Sequence, residues 1–300
     1  MCEVERGAKR PAVRKRPFLE TGSFVMSLNS VNTNVGAMIA LQSLGAINGE
    51  LSKVLRRIST GLKVSSARDD PATWAIAQTQ RAESRSLTAV TGSLQRGQSI
   101  VDVAISGAES ISDLLMQMKE KALAASDTTL SASDKAALNE DYVALRKQID
   151  LAAGNATFGG ISLISAGSTG NVRALANSSG GSTIDVDHVD LSTTGAAISG
   201  TMANLTGVIG ATELAAIDSA IRTVNAAAGR FGTGSKSLDR HLTFVGKQQD
   251  VIDAGVSRLV DADLARESAR LAALQVQQQL AVMALGIANR APSMLLQLFR

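Results

Sequence analysis

Residues 87–125, LTAVTGSLQRGQSIVDVAISGAESISDLLMQMKEKALAA, decide the fold. Leu87, Val90, Leu94, Gly97, Val101, Ala104, Ala108, Ile111, Leu115, Met118, Ala122 and Ala125 recur at alternating steps of three and four. That spacing keeps apolar side chains on one stripe of a helix and is the seam of a coiled coil. At 1.5 Å per residue the stretch is a rod of about 60 Å. No proline lies between Pro71 and Pro292, so nothing in between is an obligatory helix breaker.

The same spacing recurs on both sides. Upstream it reads Ala37, Leu41, Leu44, Asn48, Leu51, Leu55, Ile58, Leu62, with Asn48 as a polar position that can fix register. Downstream, Ser133 is expected to cap a helix carrying Leu138, Tyr142, Leu145, Ile149 and Ala152, which ends near Gly154. The longest run is Leu214, Ile217, Ile221, Val224, Ala228, Phe231, Ser235, Leu238, Leu242, Val245, Gln249, Ile252, Val256, Leu259, with glycines at 229, 232 and 234 where it can bend. A last helix carries Ala273, Val276, Leu280, Met283 and Ile287 on one stripe, with Leu271, Leu274 and Leu285 beside it. So wide an apolar face expects more than one partner helix. Between these arms, residues 165–206 are rich in Gly, Ser, Thr and Asn, and Thr183-Ile184-Asp185-Val186-Asp187 alternates as a strand does. A surface insertion with one or two hairpins is expected there. With helical material at both ends, the two ends must run back alongside each other.

Composition removes several alternatives. The apolar fraction is 45% but aromatics are only 3%, which suits slim helix seams better than a bulky core. The net charge of +3 is accounted for within residues 1–25, where Arg6, Lys9, Arg10, Arg14, Lys15 and Arg16 face Glu3, Glu5 and Glu20. The remainder is neutral and poor in aromatics, so nucleic-acid binding is not expected. Cys2 is the one cysteine, so no disulfide framework forms within the chain. Runs 21–49 and 271–289 are uncharged, yet Asn29, Asn32, Asn34, Gln42 and Asn48 in the first and Gln275, Gln277, Gln278 and Gln279 in the second oppose membrane insertion.

Catalytic chemistry is equally thin. His188 and His241 are the two histidines, too few for a His-based metal or nucleophile cluster, and His241 is expected to face solvent. GRFGTGSKS at 229–237 misses the phosphate-binding loop because Ser235 separates the second glycine from Lys236. Asp69 and Asp70 precede Pro71 and read as a helix N-terminus rather than a catalytic pair. Trp74 reads as a packed anchor. Asn155, Asn177 and Asn204 open glycosylation triplets, a weak pattern. No cofactor or metal is expected, and the chain is not expected to be an enzyme.

VNTNVGAM from Val31 and RISTGLKVSSARDDPATWAIA at 57–77 resemble the N-terminal signature of bacterial flagellin. LVDADLARESARLAALQVQQQLAVMALGIANRAPSMLLQLFR, from Leu259 to Arg300, resembles the C-terminal signature, and FGGISLI at 158–164 is similar to the family's FNG-type turn. SLQRGQSIVDVA and HLTFVGKQQD are similar to compact flagellins of the alphaproteobacterial kind. The resemblance implies a secreted protein of the extracellular flagellar filament, exported unfolded through the type III export apparatus and polymerising into a helical tube for swimming. Implied partners are further copies of itself, hook-associated junction and cap proteins, and an export chaperone; the alternative is the hook-filament junction protein. Gln117 and Lys121 stand where an Arg and a Leu are usual in receptor-active members, so immune recognition is not carried over.

The expected fold is mainly α: an elongated antiparallel helical bundle or coiled coil built from the N- and C-terminal segments, with a small β-hairpin-containing central insertion. Residues 1–25 are expected to be a basic extension outside the mature protein. Residues 26–68 with 261–300 are assigned to a terminal coiled-coil domain, 69–164 with 207–260 to a helical rod, and 165–206 to a variable insertion. The assembly seam is placed at Leu41, Leu44, Leu51, Leu55, Ile58, Leu62, Val276, Leu280, Met283 and Ile287. The rod core is placed at Leu87, Leu94, Val101, Ile111, Leu115, Ile221, Val224, Leu238, Leu242 and Val245.

Overall fold

The computed structural model describes residues 33–167, 170–195, 197–198 and 211–297. The basic extension at 1–25, Asn204, the beginning of the N-terminal signature and the closing LFR lie outside these residues. The chain is mainly α, in the order α1 (Val35–Thr60), α2 (Pro71–Ala125), α3 (Ala132–Asn155), β1 (Val172–Leu175), β2 (Thr183–Val186), α4 (Ala211–Val260) and α5 (Leu264–Gln297). It divides into two units, one of residues 1–60 with 263–300 and the other of residues 61–262.

In the larger unit, α2 and α4 run antiparallel, as cross-links between Thr88 and Gln249, Asp102 and Ser235, Ser112 and Asn225, and Lys119 and Asp218 show. All twelve seam positions from Leu87 to Ala125 are buried. The helix begins at Pro71, about four turns ahead of the Leu87 seam. The seam continues upstream through Ala77, Gln80 and Ser84 at the same spacing, but two of those three are polar. On α4, Ile217, Val224, Phe231, Leu238 and Val245 are buried, while Ile221 and Leu242 are half-buried flanks. The glycines at 229, 232 and 234 do not interrupt α4. Helix α3 packs on α2; its cap is Ser131 rather than Ser133, in a capping box with Asp134.

The central segment is more than a surface insertion. β1 and β2 form one antiparallel hairpin, with Val172 opposite Val186 and Leu175 opposite Thr183, laid over α2 and α4. It buries Val172, Ala174 and Val186, and the following chain buries Leu191 and Ile198. Small residues let it approach. A Cβ on Gly97 would meet that of Ala174 at 3.2 Å, and one on Gly234 would meet Val186 Cγ2 at 2.9 Å. Gly107 gives way in the same manner to Ile164 and Ala156.

Residues 61–64 fall with this unit because the backbone ties them to the end of α4. Lys63 and Val64 N–H donate to the Val260 carbonyl, and Ala262 N–H donates to that of Gly61. Val64, Ala77, Val256 and Val260 form a second small core against which half-buried Trp74 packs. In the smaller unit, α1 and α5 pair antiparallel through Arg57 and Glu267 at 2.9 Å, Glu50 and Arg270 at 2.8 Å, and Asn48 and Gln278 at 2.7 Å.

Candidate functional site

Among the described residues the smaller unit consists of two helices, and two helices cannot surround their own apolar residues. On α1 the residues turned towards α5 are Ala37, Ala40, Leu44, Ile47, Leu51, Val54 and Ile58, all buried or half-buried. This stripe shares Leu44, Leu51 and Ile58 with the assembly seam placed from sequence. Leu41 and Leu55 lie one flank over and are exposed, as is Asn48. Leu62 belongs to the larger unit and is half-buried.

The division on α5 is sharper. Leu271, Leu274, Gln278, Ala281, Leu285 and Ala288 are the less exposed positions, again at steps of three and four. The adjacent stripe is open to solvent: Val276 at 55%, Leu280 at 55%, Met283 at 57% and Ile287 at 72% exposure. Met38, Ile39 and Leu41 expose a matching patch on α1. The pair therefore uses one apolar stripe per helix internally and leaves a second without a partner among the described residues, the kind of arrangement found at interaction surfaces. α5 over Leu264–Arg290 is long and apolar enough to cross a membrane by length and composition alone. Gln275, Gln277, Gln278, Gln279 and Arg270 argue against lipid as the partner, since each would be costly in hydrocarbon.

The segment before α2 is a rigid polar turn. Asp70 caps α2, accepting from Ala72 and Thr73 N–H at 3.1 Å and from the Thr73 hydroxyl at 2.7 Å. Asp69 accepts from the Ser65 hydroxyl at 2.9 Å, from Ser65 and Ser66 N–H at 3.1 Å and from the Ser66 hydroxyl at 3.2 Å. The Thr73 and Ser65 hydroxyls, first among these donors, hold the Asp70 and Asp69 carboxyls below the ordinary carboxylate range. These carboxylates are thus structural caps.

Other candidates resolve the same way. Residues 229–237 are helical, without the loop that phosphate binding requires. His241 is half-buried rather than solvent-facing, its Nε2 2.7 Å from the Ala176 carbonyl oxygen and its ring against Phe244. Burial pushes the Tyr142 phenol above its usual value. Among the described residues no three His, Cys, Asp or Glu side chains gather as a metal site. Gln117 is exposed, and Lys121 pairs with Asp141 at 2.8 Å.

Comparison with known proteins gives this surface its context. Residues 31–169 match the bacterial flagellin N-terminal helical region and residues 214–299 the bacterial flagellin C-terminal helical region. The chain is 51% identical over 276 residues to flagellin FljK of Caulobacter vibrioides, covering 92% of this chain and all of that one. It is 35% identical to a Brucella melitensis flagellin, covering 90% of this chain and 99% of that protein. Among solved structures, Bacillus cereus flagellin aligns with 27% identity and a TM-score of 0.46 over 50% of this chain and 86% of that one.

Proposed function

The chain belongs to the bacterial flagellin family, and on that premise we propose that it is the structural subunit of a flagellar filament whose copies join through the outer stripes of α1 and α5. The observation that carries the role of these helices is the solvent-exposed stripe Val276, Leu280, Met283 and Ile287 on a helix whose other stripe is already occupied. Covering one such side chain contributes about 1.5 to 3 kcal/mol, so a few per subunit suffice to drive association. Contacts that repeat head to tail without closing build a helical polymer. The full-length match to flagellins favours the filament over the junction protein. The rest of the reading follows from the family: a structural role without catalysis, export through the type III apparatus with a chaperone's help, junction and cap proteins at the filament's ends, and a location outside the cell.

The test is negative-stain microscopy of the chain from Met26, with kosmotropic salt and filament seeds, beside a Leu280→Asp/Ile287→Asp variant. Filaments from the parent and none from the variant, at equal helical content, are expected. Filaments from the variant would remove the α5 stripe from the mechanism; none from the parent under any seeding would sink the filament reading.

A further inference from the structure

The larger unit carries an apolar knob on one flank and an apolar groove on the other, and neither is covered by the described residues. The knob is a two-residue turn. Phe158 and Ile161 exchange both backbone hydrogen bonds, at 2.9 and 3.1 Å, so their side chains stand on the same face. Gly159 and Gly160 between them have φ of 58° and 82°, a primed turn that leaves the tip bare. Phe158 is 42% exposed and Ile161 47%, unusual for two large apolar residues side by side. The groove, about 480 Å³, lies between β2 and α4, with Ile184, Val189 and Ala226 supplying the apolar lining that solvent reaches. It is open at Gly229, where a Cβ would touch nothing.

Knob and groove cannot meet in one molecule. Ile161 sits beside β1 over α2, whereas the groove opens beside β2 over α4, and the hairpin stands between them. Arg96 stands next to the knob, while the groove carries Asp185, paired with Arg173 at 3.3 Å, Asp187, held by Asn171 at 2.7 Å, and Arg230 on its α4 rim. We infer that Phe158 and Ile161 of one copy seat in the β2–α4 groove of a second copy. The second copy is the occupant because the chain belongs to a filament-forming family and every subunit brings both halves. A knob and groove on opposite flanks form a heterologous contact, the kind that propagates rather than closes. This pairing rests on the filament reading and adds to it a contact made by the larger unit.

Gly229→Leu tests it without weakening the subunit, because it replaces a helical glycine and fills the groove. Its melting temperature is expected to hold or rise, and its critical concentration for polymerisation to increase about tenfold or more. Phe158→Ser removes the knob from the other side and is expected to do the same. In a Cys2→Ser background, filaments of Ile161→Cys/Thr233→Cys treated with a short bis-maleimide are expected to give a ladder of covalent oligomers. Filaments without a ladder, or Gly229→Leu polymerising like the parent, would overturn the pairing alone. Failure of the parent to form filaments would overturn the filament reading and take the pairing with it.

Discussion

Asp69 and Asp70 show how much of this structure hangs on short polar side chains. Both folded carboxyls sit below the unfolded value of about 3.8, so their contribution is complete above that pH and is lost as pH falls through the folded values. The melting temperature of the monomeric parent, followed by circular dichroism, should therefore drop more steeply below pH 4 than that of Asp69→Asn/Asp70→Asn. Equal slopes would remove these carboxyls from the acid response. Gly107 makes the opposite kind of contribution, by having no side chain. Its Cβ would lie 2.6 Å from Ile164 Cδ1 and 2.9 Å from Ala156 Cβ. Gly107→Ala gains helix propensity but overpacks, and a net loss of about 1 kcal/mol is expected from denaturant midpoints. Gly229→Ala, with open space around it, should gain up to about 1 kcal/mol.

Between elements, helices with similar apolar content meet different fates. α2 is surrounded by α3, α4 and the hairpin, so its whole seam is sealed; among the described elements α5 packs on α1 and seals one stripe of two. A leucine's worth to the subunit thus depends on which stripe holds it. Leu115→Ala should cost about 2 to 5 kcal/mol of monomer stability, since Leu115 is fully buried. Leu280→Ala should cost the monomer less than about 1 kcal/mol and act instead on polymerisation. Paired urea melts and pelleting assays separate the two; a large monomer cost for Leu280→Ala would contradict the assignment of that stripe to assembly.

For the whole molecule, the consequence is uneven stability. The larger unit holds the extended core, whereas the smaller relies on one half-sealed helix pair. Regions with few buried apolar contacts open most easily, and a partner that binds the folded form stabilises it. Amide exchange in the monomer should therefore be fast along α1 and α5 and slow along α2 and α4. Polymerisation should slow it most in α1 and α5. Uniform protection in the monomer would show that the helix pair needs no neighbour.

The spacing of apolar residues determined the helices and the complete seam of Leu87 to Ala125, the Asp-Pro pair determined the capped start at Asp70-Pro71, and alternation the strand at Thr183; the family came from the resemblance of the signatures at both ends. These features are local, or repeat along the chain, and periodicity records them directly. Tertiary structure decided which of two overlapping stripes on α1 and α5 faces inward, because Leu41 and Ala40, or Leu280 and Ala281, are both apolar and one step apart. It also decided that half-buried Gln80 and buried Ser84 extend the seam and that His241 turns to Ala176. Finally, Gly97, Gly107 and Gly234 yield space to segments distant in the chain. Such outcomes depend on which surface arrives opposite a residue, a pairing that sequence spacing on one helix does not contain.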